Sequence, residues 1–200
     1  MQYDAFDGLV FDCDGTLAHT MPAHFEAWQA IARKYGLSFP EDRFYAWGGV
    51  SATRILAMLS AEQRVVLDAE KVAHEKEMLF LTDYLGGAPA IEPVVAIARA
   101  YHGRRPLAVA TGGVRPVVER TLANLGLTGL FDALVASEDV QHPKPAPDTY
   151  LLAAERLGVD PRRCVAFEDT DTGLAAAAAA GMTTVDVRTI DGVPVAMAGR

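Results

Sequence analysis

The sequence is poor in basic residues. Lysine and arginine number 18 against 26 aspartate and glutamate residues, which gives a formal net charge of −8 over 200 residues. This balance offers no basic face for nucleic acid or for an anionic membrane surface, so we expect neither as a partner. An anionic substrate therefore needs a local positive site, made by a metal ion and a few cationic side chains.

Cysteine and long apolar runs are also scarce. Cys13 and Cys164 are the only two cysteines, and each lies in or beside a short hydrophobic run. We interpret them as reduced, packed thiols rather than as a disulfide. No apolar run is long enough to cross a bilayer, and the first residues lack the basic and apolar segments of an export signal. We therefore expect a cytoplasmic protein.

Half of the residues are hydrophobic, which is enough for one domain, or for a core with an insertion. The run Gly8–Phe11 predicts a first buried strand. After it, apolar residues recur at helical spacing up to a stop at Gly36, and no convincing strand appears before Tyr84. From Ile91 onward, strands and helices alternate. The later strands are predicted at Leu107–Ala110, Ala133–Ala136, Cys164–Phe167 and Thr184–Val187.

Alternation of this kind is typical of an α/β fold, here a Rossmann-like parallel sheet with helices on its faces. The all-helical stretch interrupts the pattern directly after the first strand. We therefore predict a core formed by residues 1–18 and 90–200, and an inserted all-helical domain over residues 19–89.

Two aspartates, Asp12 and Asp14, follow the first predicted strand and precede Gly15. Ligands of open α/β sheets bind at the carboxyl ends of the strands. There, one carboxylate can attack an electrophile covalently, the other can exchange a proton with the leaving group, and both can hold Mg²⁺. A calcium loop also begins Asp-x-Asp, but its glycine and glutamate positions hold Leu17 and Ala23. A solvated turn remains the plain alternative.

The next two strands are also followed by polar residues. Thr111, Gly112 and Gly113 offer a hydroxyl and a flexible turn rich in amides, which can cradle phosphate oxygens or form an ordinary glycine turn. Lys144 stands between prolines after the third strand. Its ammonium can offset the charge of a phosphoryl group, or it can be a surface lysine of a proline loop.

The fourth strand runs into Glu168 and Asp169, followed by Thr170 and Asp171. The first two acids can complete an oxygen shell for Mg²⁺, or they can merely cap the helix that follows. Thr170 and Asp171 are the better candidates for the capping role.

These four motifs together resemble the signature of the haloacid dehalogenase superfamily. Its members have Asp-x-Asp-Gly-Thr/Val, then Ser/Thr, then Lys, then Glu-Asp or Asp-Asp, in the order found here. The helical insertion stands where this superfamily has its C1 cap. Within the superfamily the chain is most similar to the β-phosphoglucomutase-like branch, and there to bacterial fructose-1-phosphate phosphatases. The segments that carry this closer resemblance are 102–106, 144–148 and 167–169.

The resemblance implies a Mg²⁺-dependent phosphatase that acts on a small phosphorylated substrate. Asp12 is then the nucleophile and a metal ligand, and Asp14 is the acid and base and binds the metal through its main-chain carbonyl. Asp169 is a further ligand, and Glu168 is a ligand or a partner of one. Lys144 and Thr111, with the amides at Gly112 and Gly113, are expected to hold the phosphoryl oxygens.

Three residues of the insertion are candidates for contacts with the substrate. His24 matches a histidine that contacts the acid/base aspartate in the β-phosphoglucomutase branch, and Lys76 matches a lysine that reaches that active site. Arg54 is a candidate for the far end of the substrate. For His24 and Lys76 the alternative is a solvated position on a helix surface.

There are three alternatives to a phosphatase: a sugar-phosphate mutase, a phosphosugar sensor without activity and a dehalogenase. In the mutase, an arginine follows Gly-Val-Ser and a serine stands two places after the second-motif hydroxyl; here those positions are Ala52 and Gly113. We therefore favour hydrolysis over mutase activity. A phosphosugar sensor without activity is disfavoured by the intact motifs, and a dehalogenase has no need of Asp14. We expect a monomer or a weak homodimer.

Overall fold

A parallel five-stranded sheet forms the centre of the computed structural model, which describes residues 2–194. The strand order is β3-β2-β1-β4-β5, and every neighbouring pair is parallel. The first strand along the chain is therefore the central one. The strands are β1 (Gly8–Phe11), β2 (Leu107–Ala110), β3 (Ala133–Val135), β4 (Cys164–Glu168) and β5 (Thr183–Asp186).

Both faces of the sheet are covered by helices, which is why its central strands are continuous apolar runs. Leu9 and Phe11 pack on one face with α5 (Glu92–Tyr101) and α6 (Arg115–Asn124). Val10 packs on the other face with α7 (Asp148–Leu157) and the alanine-rich α8 (Asp171–Ala179). The predicted α/β fold is confirmed.

A helical block separates β1 from α5, and no strand is found in it among the described residues. Its α1 ends at Gly36, whose φ of 66° is favourable for glycine. The block has a hydrophobic cluster of its own, around Trp28, Phe44 and Leu56. Its α-helices are α1 (Met21–Tyr35), α2 (Glu41–Ala46), α3 (Ala52–Gln63) and α4 (Ala69–Leu79), followed by a π turn (Phe80–Tyr84) and a 3₁₀ turn (Leu85–Gly87).

The chain enters and leaves the helical block through two adjacent segments. Ala18 and Ala90 form an antiparallel bridge, and the amide of His19 donates to the carbonyl of Pro89 at 2.9 Å. The predicted boundaries, 18/19 and 89/90, fall at this crossing. Because the crossing lies a few residues beyond the end of β1, it brings the block next to Asp12 and Asp14.

Some features differ from the sequence-based expectation or extend it. Helix α2 is too short to give a periodic signal. The charged stretch after α3 is broken at Arg64 (φ 56°), and α4 begins after Asp68, which caps it by accepting from the amide of Lys71 at 3.0 Å. Both cysteines are buried and free. Within residues 2–194, no helix has the length and apolarity that a membrane span requires.

Candidate active site

The carboxyl edge of the sheet brings the predicted core residues together. Asp12 directly follows β1, Thr111 follows β2, Glu168 is the last residue of β4 and Asp169 follows it, while Lys144 comes from the loop after β3. Asp12, Asp14, Thr111, Gly112, Gly113 and Glu168 line one cavity, together with residues of the helical block.

Lys144 is at the centre of the charged groups. Its Nζ lies 2.7 Å from Oδ1 of Asp12 and 2.8 Å from Oε1 of Glu168. Its side chain is only 1% exposed, so it is not a surface lysine. Burial lowers the pKa of Lys144, but Asp12 and Glu168 outweigh burial and raise that pKa. Lys144 is therefore a fixed cation next to the predicted nucleophile.

Three carboxylates lie close together here. One oxygen from each of Asp12, Glu168 and Asp169 lies within 4.8 Å of the other two. Burial raises the pKa of Asp12 to about 8; Lys144 opposes this change, and the negative charge of Glu168 adds to it. A cluster of oxygen donors with this excess of negative charge fits a hard divalent cation such as Mg²⁺.

Asp169 is held in place by the turn after β1. Thr16 donates its hydroxyl to Oδ1 of Asp169 at 3.0 Å. Gly15 has a φ of 86°, and a Cβ at this position would lie 2.1 Å from Oδ2 of Asp169. The close approach therefore requires glycine at position 15.

Glu168 is held by the start of α8. Its Oε2 accepts from the amide and the hydroxyl of Thr170, at 2.6 and 2.9 Å. A Cβ on Gly173 would lie 1.7 Å from Oε1 of Glu168. Thr170 also caps α8 by accepting from the amide of Gly173 at 3.0 Å, as predicted for it. The sequence signal for this arrangement is a glycine in the first turn of a helix, which propensity alone disfavours.

Asp14 faces the same cavity but has different partners. Its Oδ1 accepts from the hydroxyl of Thr20 at 2.6 Å and lies 3.3 Å from Nε2 of His24. Burial raises the pKa of Asp14, but His24, the Thr20 hydrogen bond and Lys76 outweigh burial and hold the pKa at about 2. Nothing in the sequence singles out Thr20, because its contact with Asp14 depends on the turn that follows β1.

The turn after β2 lies close to Asp14. The hydroxyl of Thr111 is buried and accepts from the amide of Gly113 at 3.1 Å, so its hydrogen remains available for a ligand. A Cβ on Gly113 would lie 3.4 Å from Oδ2 of Asp14. Gly112 also lines the cavity. The turn therefore presents the Thr111 hydroxyl and Gly112 to the cavity, where they can meet the oxygens of an anion.

Two of the three predicted residues of the helical block reach the cavity. His24 and Lys76 are buried, so neither is a solvated helix residue. Nζ of Lys76 lies 2.8 Å from Nδ1 of His24, whose ring stacks on Phe80 with centroids 3.7 Å apart. Arg54 is exposed and does not line the cavity. It lies on another side of α3 from Ile55, which does, so the structure does not support a substrate contact for Arg54.

A glycine loop of the helical block closes over the core. A Cβ on Gly48 would lie 2.9 Å from Cγ2 of Thr170, and one on Gly49 would lie 3.1 Å from Oγ1 of the same threonine. The carbonyl of Gly49 approaches Gly112 on the other side. The helical block is therefore closed against the sheet edge in this structure.

Comparison with known proteins agrees with this geometry. The sequence model of the haloacid dehalogenase-like hydrolase family matches residues 6–181 of the chain. A fructose-1-phosphate phosphatase, YqaB of Escherichia coli (strain K12), is 43% identical over 186 residues, which are 93% of this chain and 98% of that protein.

Solved structures resemble the chain over the same extent. CbbY from Rhodobacter sphaeroides in complex with phosphate has a TM-score of 0.80 at 27% identity, and the match covers 90% of this chain and 84% of that one. A β-phosphoglucomutase from Clostridium difficile has a TM-score of 0.76 at 22% identity, with 90% and 83% covered. The latter likeness concerns the fold alone.

Proposed function

The chain belongs to the haloacid dehalogenase-like hydrolases and is a phosphoric monoester hydrolase, and from that premise we propose that it hydrolyses a small sugar phosphate such as fructose 1-phosphate. The observation that carries the proposal is the position of Asp12. Its carboxylate is next to the Lys144 ammonium, at 2.7 Å, and faces the same cavity as Asp14 and Thr111. The 43% identity to a fructose-1-phosphate phosphatase supports this substrate class.

In the first step, a carboxylate oxygen of Asp12 attacks phosphorus, and the bond from phosphorus to the sugar oxygen breaks. Asp14 gives its proton to the departing oxygen, and the negative charge of the bound phosphoryl group favours that proton on Asp14 beforehand. Lys144 offsets the charge of the phosphoryl group, while Thr111 and the Gly112 amide hold its oxygens. The product is an aspartyl-phosphate and a free sugar.

In the second step, Asp14 accepts a proton from a water molecule that attacks the phosphorus of the aspartyl-phosphate. The bond from phosphorus to the Asp12 oxygen breaks, inorganic phosphate is released, and Asp12 is restored as a carboxylate. Asp12, Glu168 and Asp169, with the main-chain carbonyl of Asp14, would hold Mg²⁺. When bound, the metal supplies positive charge for the phosphoryl oxygens.

We propose that residues 19–89 act as a cap over this chemistry. The closed loop at Gly48 and Gly49 would exclude bulk water, and opening at the crossing of Ala18 and Ala90 would admit the substrate. This division of labour accounts for an active site placed between the core and the helical block. We expect the enzyme to act in the cytoplasm as a monomer or weak homodimer.

Hydrolysis is favoured over a mutase reaction by the residue at position 52. A mutase must hold the second phosphate of a bisphosphate while it reorients, which calls for a cationic contact. Ala52 lines the cavity where the mutase has arginine. Loss of such a contact removes on the order of 1.5–3 kcal/mol, so we expect hydrolysis to outpace rebinding of a bisphosphate.

The test is a measurement of inorganic phosphate release from a panel of hexose and pentose phosphates, with and without Mg²⁺. We expect turnover of fructose 1-phosphate or a close analogue. A second arm supplies β-glucose 1-phosphate with a trace of the 1,6-bisphosphate. Rapid formation of glucose 6-phosphate with negligible free phosphate would overturn hydrolysis in favour of the mutase reaction.

A further inference from the structure

Glu77 is a carboxylate in the cavity to which the proposed mechanism gives no role. It follows Lys76 on α4 and lines the cavity that contains Asp12 and Asp14. Its side chain is 14% exposed, and its Oε1 lies 3.1 Å from Nζ of Lys76. A carboxylate is thus held, poorly solvated, on the cap side of the site.

The positive charge on the cap side of the cavity, that of Lys76, is already paired. Among the described residues that line the cavity, Lys76 is the only lysine or arginine. Its ammonium contacts Glu77 at 3.1 Å and Nδ1 of His24 at 2.8 Å. The neighbouring walls, which include Trp28 and Trp47, bring no charge. Glu77 therefore cancels the cation that could otherwise attract a second anionic group.

This arrangement discriminates between two kinds of substrate. A second phosphate at the far end of a sugar would meet the Glu77 carboxylate in a site where like charges are weakly screened. A sugar hydroxyl, in contrast, can donate a strong hydrogen bond to the Glu77 carboxylate. The preference is thus set by the sign of the charge on α4 rather than by the size of the cavity.

We propose that Glu77 is a specificity residue that restricts the enzyme to monophosphates with an uncharged, hydroxylated far end and rejects bisphosphates. The inference rests on the proposed phosphatase activity and names its substrate class more narrowly. It gives Glu77 no part in bond making or breaking.

The experiment compares kcat/KM for fructose 1-phosphate and fructose 1,6-bisphosphate in the wild type, Glu77→Gln and Glu77→Ala. We expect the wild type to prefer the monophosphate. Both variants should raise the ratio of bisphosphate to monophosphate kcat/KM by at least about tenfold, because Lys76 loses its counter-charge. Glu75→Gln is the matched control, since Glu75 pairs with Lys34 and does not line the cavity. Its ratio should equal that of the wild type.

The ratio separates selectivity from folding, because damage to the fold lowers both rates together. An unchanged ratio in active Glu77 variants would overturn the specificity role and leave the phosphatase proposal standing. A wild type with equal kcat/KM for both substrates would also overturn the specificity role and leave the phosphatase proposal standing. If the wild type hydrolyses neither substrate nor any other sugar phosphate, the proposed function itself fails.

Discussion

The ammonium of Lys76 lies 2.8 Å from Nδ1 of His24, and this contact decides which ring nitrogen of His24 bears a hydrogen. An ammonium can only donate, so Nδ1 accepts and the proton of the neutral ring is on Nε2. Nε2 is the atom that faces Asp14, at 3.3 Å. Lys76 thereby orients the donor that His24 presents to the proposed acid and base.

We expect His24→Ala to lower kcat roughly 10- to 100-fold, because Asp14 loses a partner that orients its carboxylate. Lys76→Met should have a smaller effect of the same kind. The double variant should be barely worse than His24→Ala, since both changes break one chain of contacts. His102→Ala is the control, because His102 contacts the carbonyl of Leu130, away from the site. Fully additive losses in steady-state kinetics would contradict this coupling.

The core motifs could be predicted from the sequence because each follows a strand, and parallel strands bring their carboxyl ends to one edge. Asp12, Thr111, Lys144 and Glu168 meet there for that reason. Contacts that depend on how separate segments fold against each other could not be predicted. Thr20 reaches Asp14 through a turn, and whether a residue of α3 such as Arg54 faces the cavity depends on how the helix is rotated.

Asp12→Asn should fold normally and lose turnover, because the change keeps the shape of the side chain while removing the proposed nucleophile. We expect less than a few per cent of the wild-type rate, with a melting temperature within a few degrees of the wild type. Both are measured on one preparation by phosphate release and thermal unfolding. Substantial residual turnover would argue against covalent catalysis by Asp12.

Removal of divalent metal with a chelator should abolish turnover, and Mg²⁺ should restore it, because Asp12, Glu168 and Asp169 gather negative charge that Lys144 alone does not balance. Ca²⁺ should inhibit, since it favours higher coordination and can engage both oxygens of Asp12. The check is a titration of each metal into chelated enzyme. Full activity in excess chelator would contradict metal dependence.

Asp139→Asn should destabilise the fold. Oδ2 of Asp139 accepts from the amide of Ala136 at 2.9 Å and from Arg115 and Arg156 at 2.5 and 3.1 Å. The Arg156 hydrogen bond, with burial opposing it, lowers the pKa of Asp139. A lowered folded-state pKa means stabilisation that is present at neutral pH and lost as pH falls below about 4. We expect the free energy of unfolding at pH 7, measured with denaturant, to fall by about 1–2 kcal/mol.

The difference between Asp139→Asn and the wild type should shrink as the pH is lowered through that range. Asp83→Asn is the control, since Asp83 is exposed on the π turn. A difference that stays constant from pH 7 to pH 3 would show that the charge of Asp139 does not contribute.

Gly173→Ala should impair catalysis although it adds only a methyl group and favours helix. The new Cβ would lie 1.7 Å from Oε1 of Glu168, so the Glu168 carboxylate must move. That oxygen is the one that Lys144 contacts at 2.8 Å, and Lys144 also holds Asp12. Displacement of Glu168 thus disturbs both the proposed metal ligands and the cation beside the nucleophile.

We therefore expect Gly173→Ala to raise the Mg²⁺ concentration for half-maximal activity roughly 10- to 100-fold, the range typical of lost support around a metal site. Gly86→Ala is the matched control, because a Cβ at Gly86 would meet nothing within 4 Å. Excess Mg²⁺ should recover part of the activity of Gly173→Ala, which distinguishes a displaced ligand from an unfolded chain. A variant with unchanged Mg²⁺ dependence would mean that Glu168 does not support the metal, and that Gly173 serves packing alone.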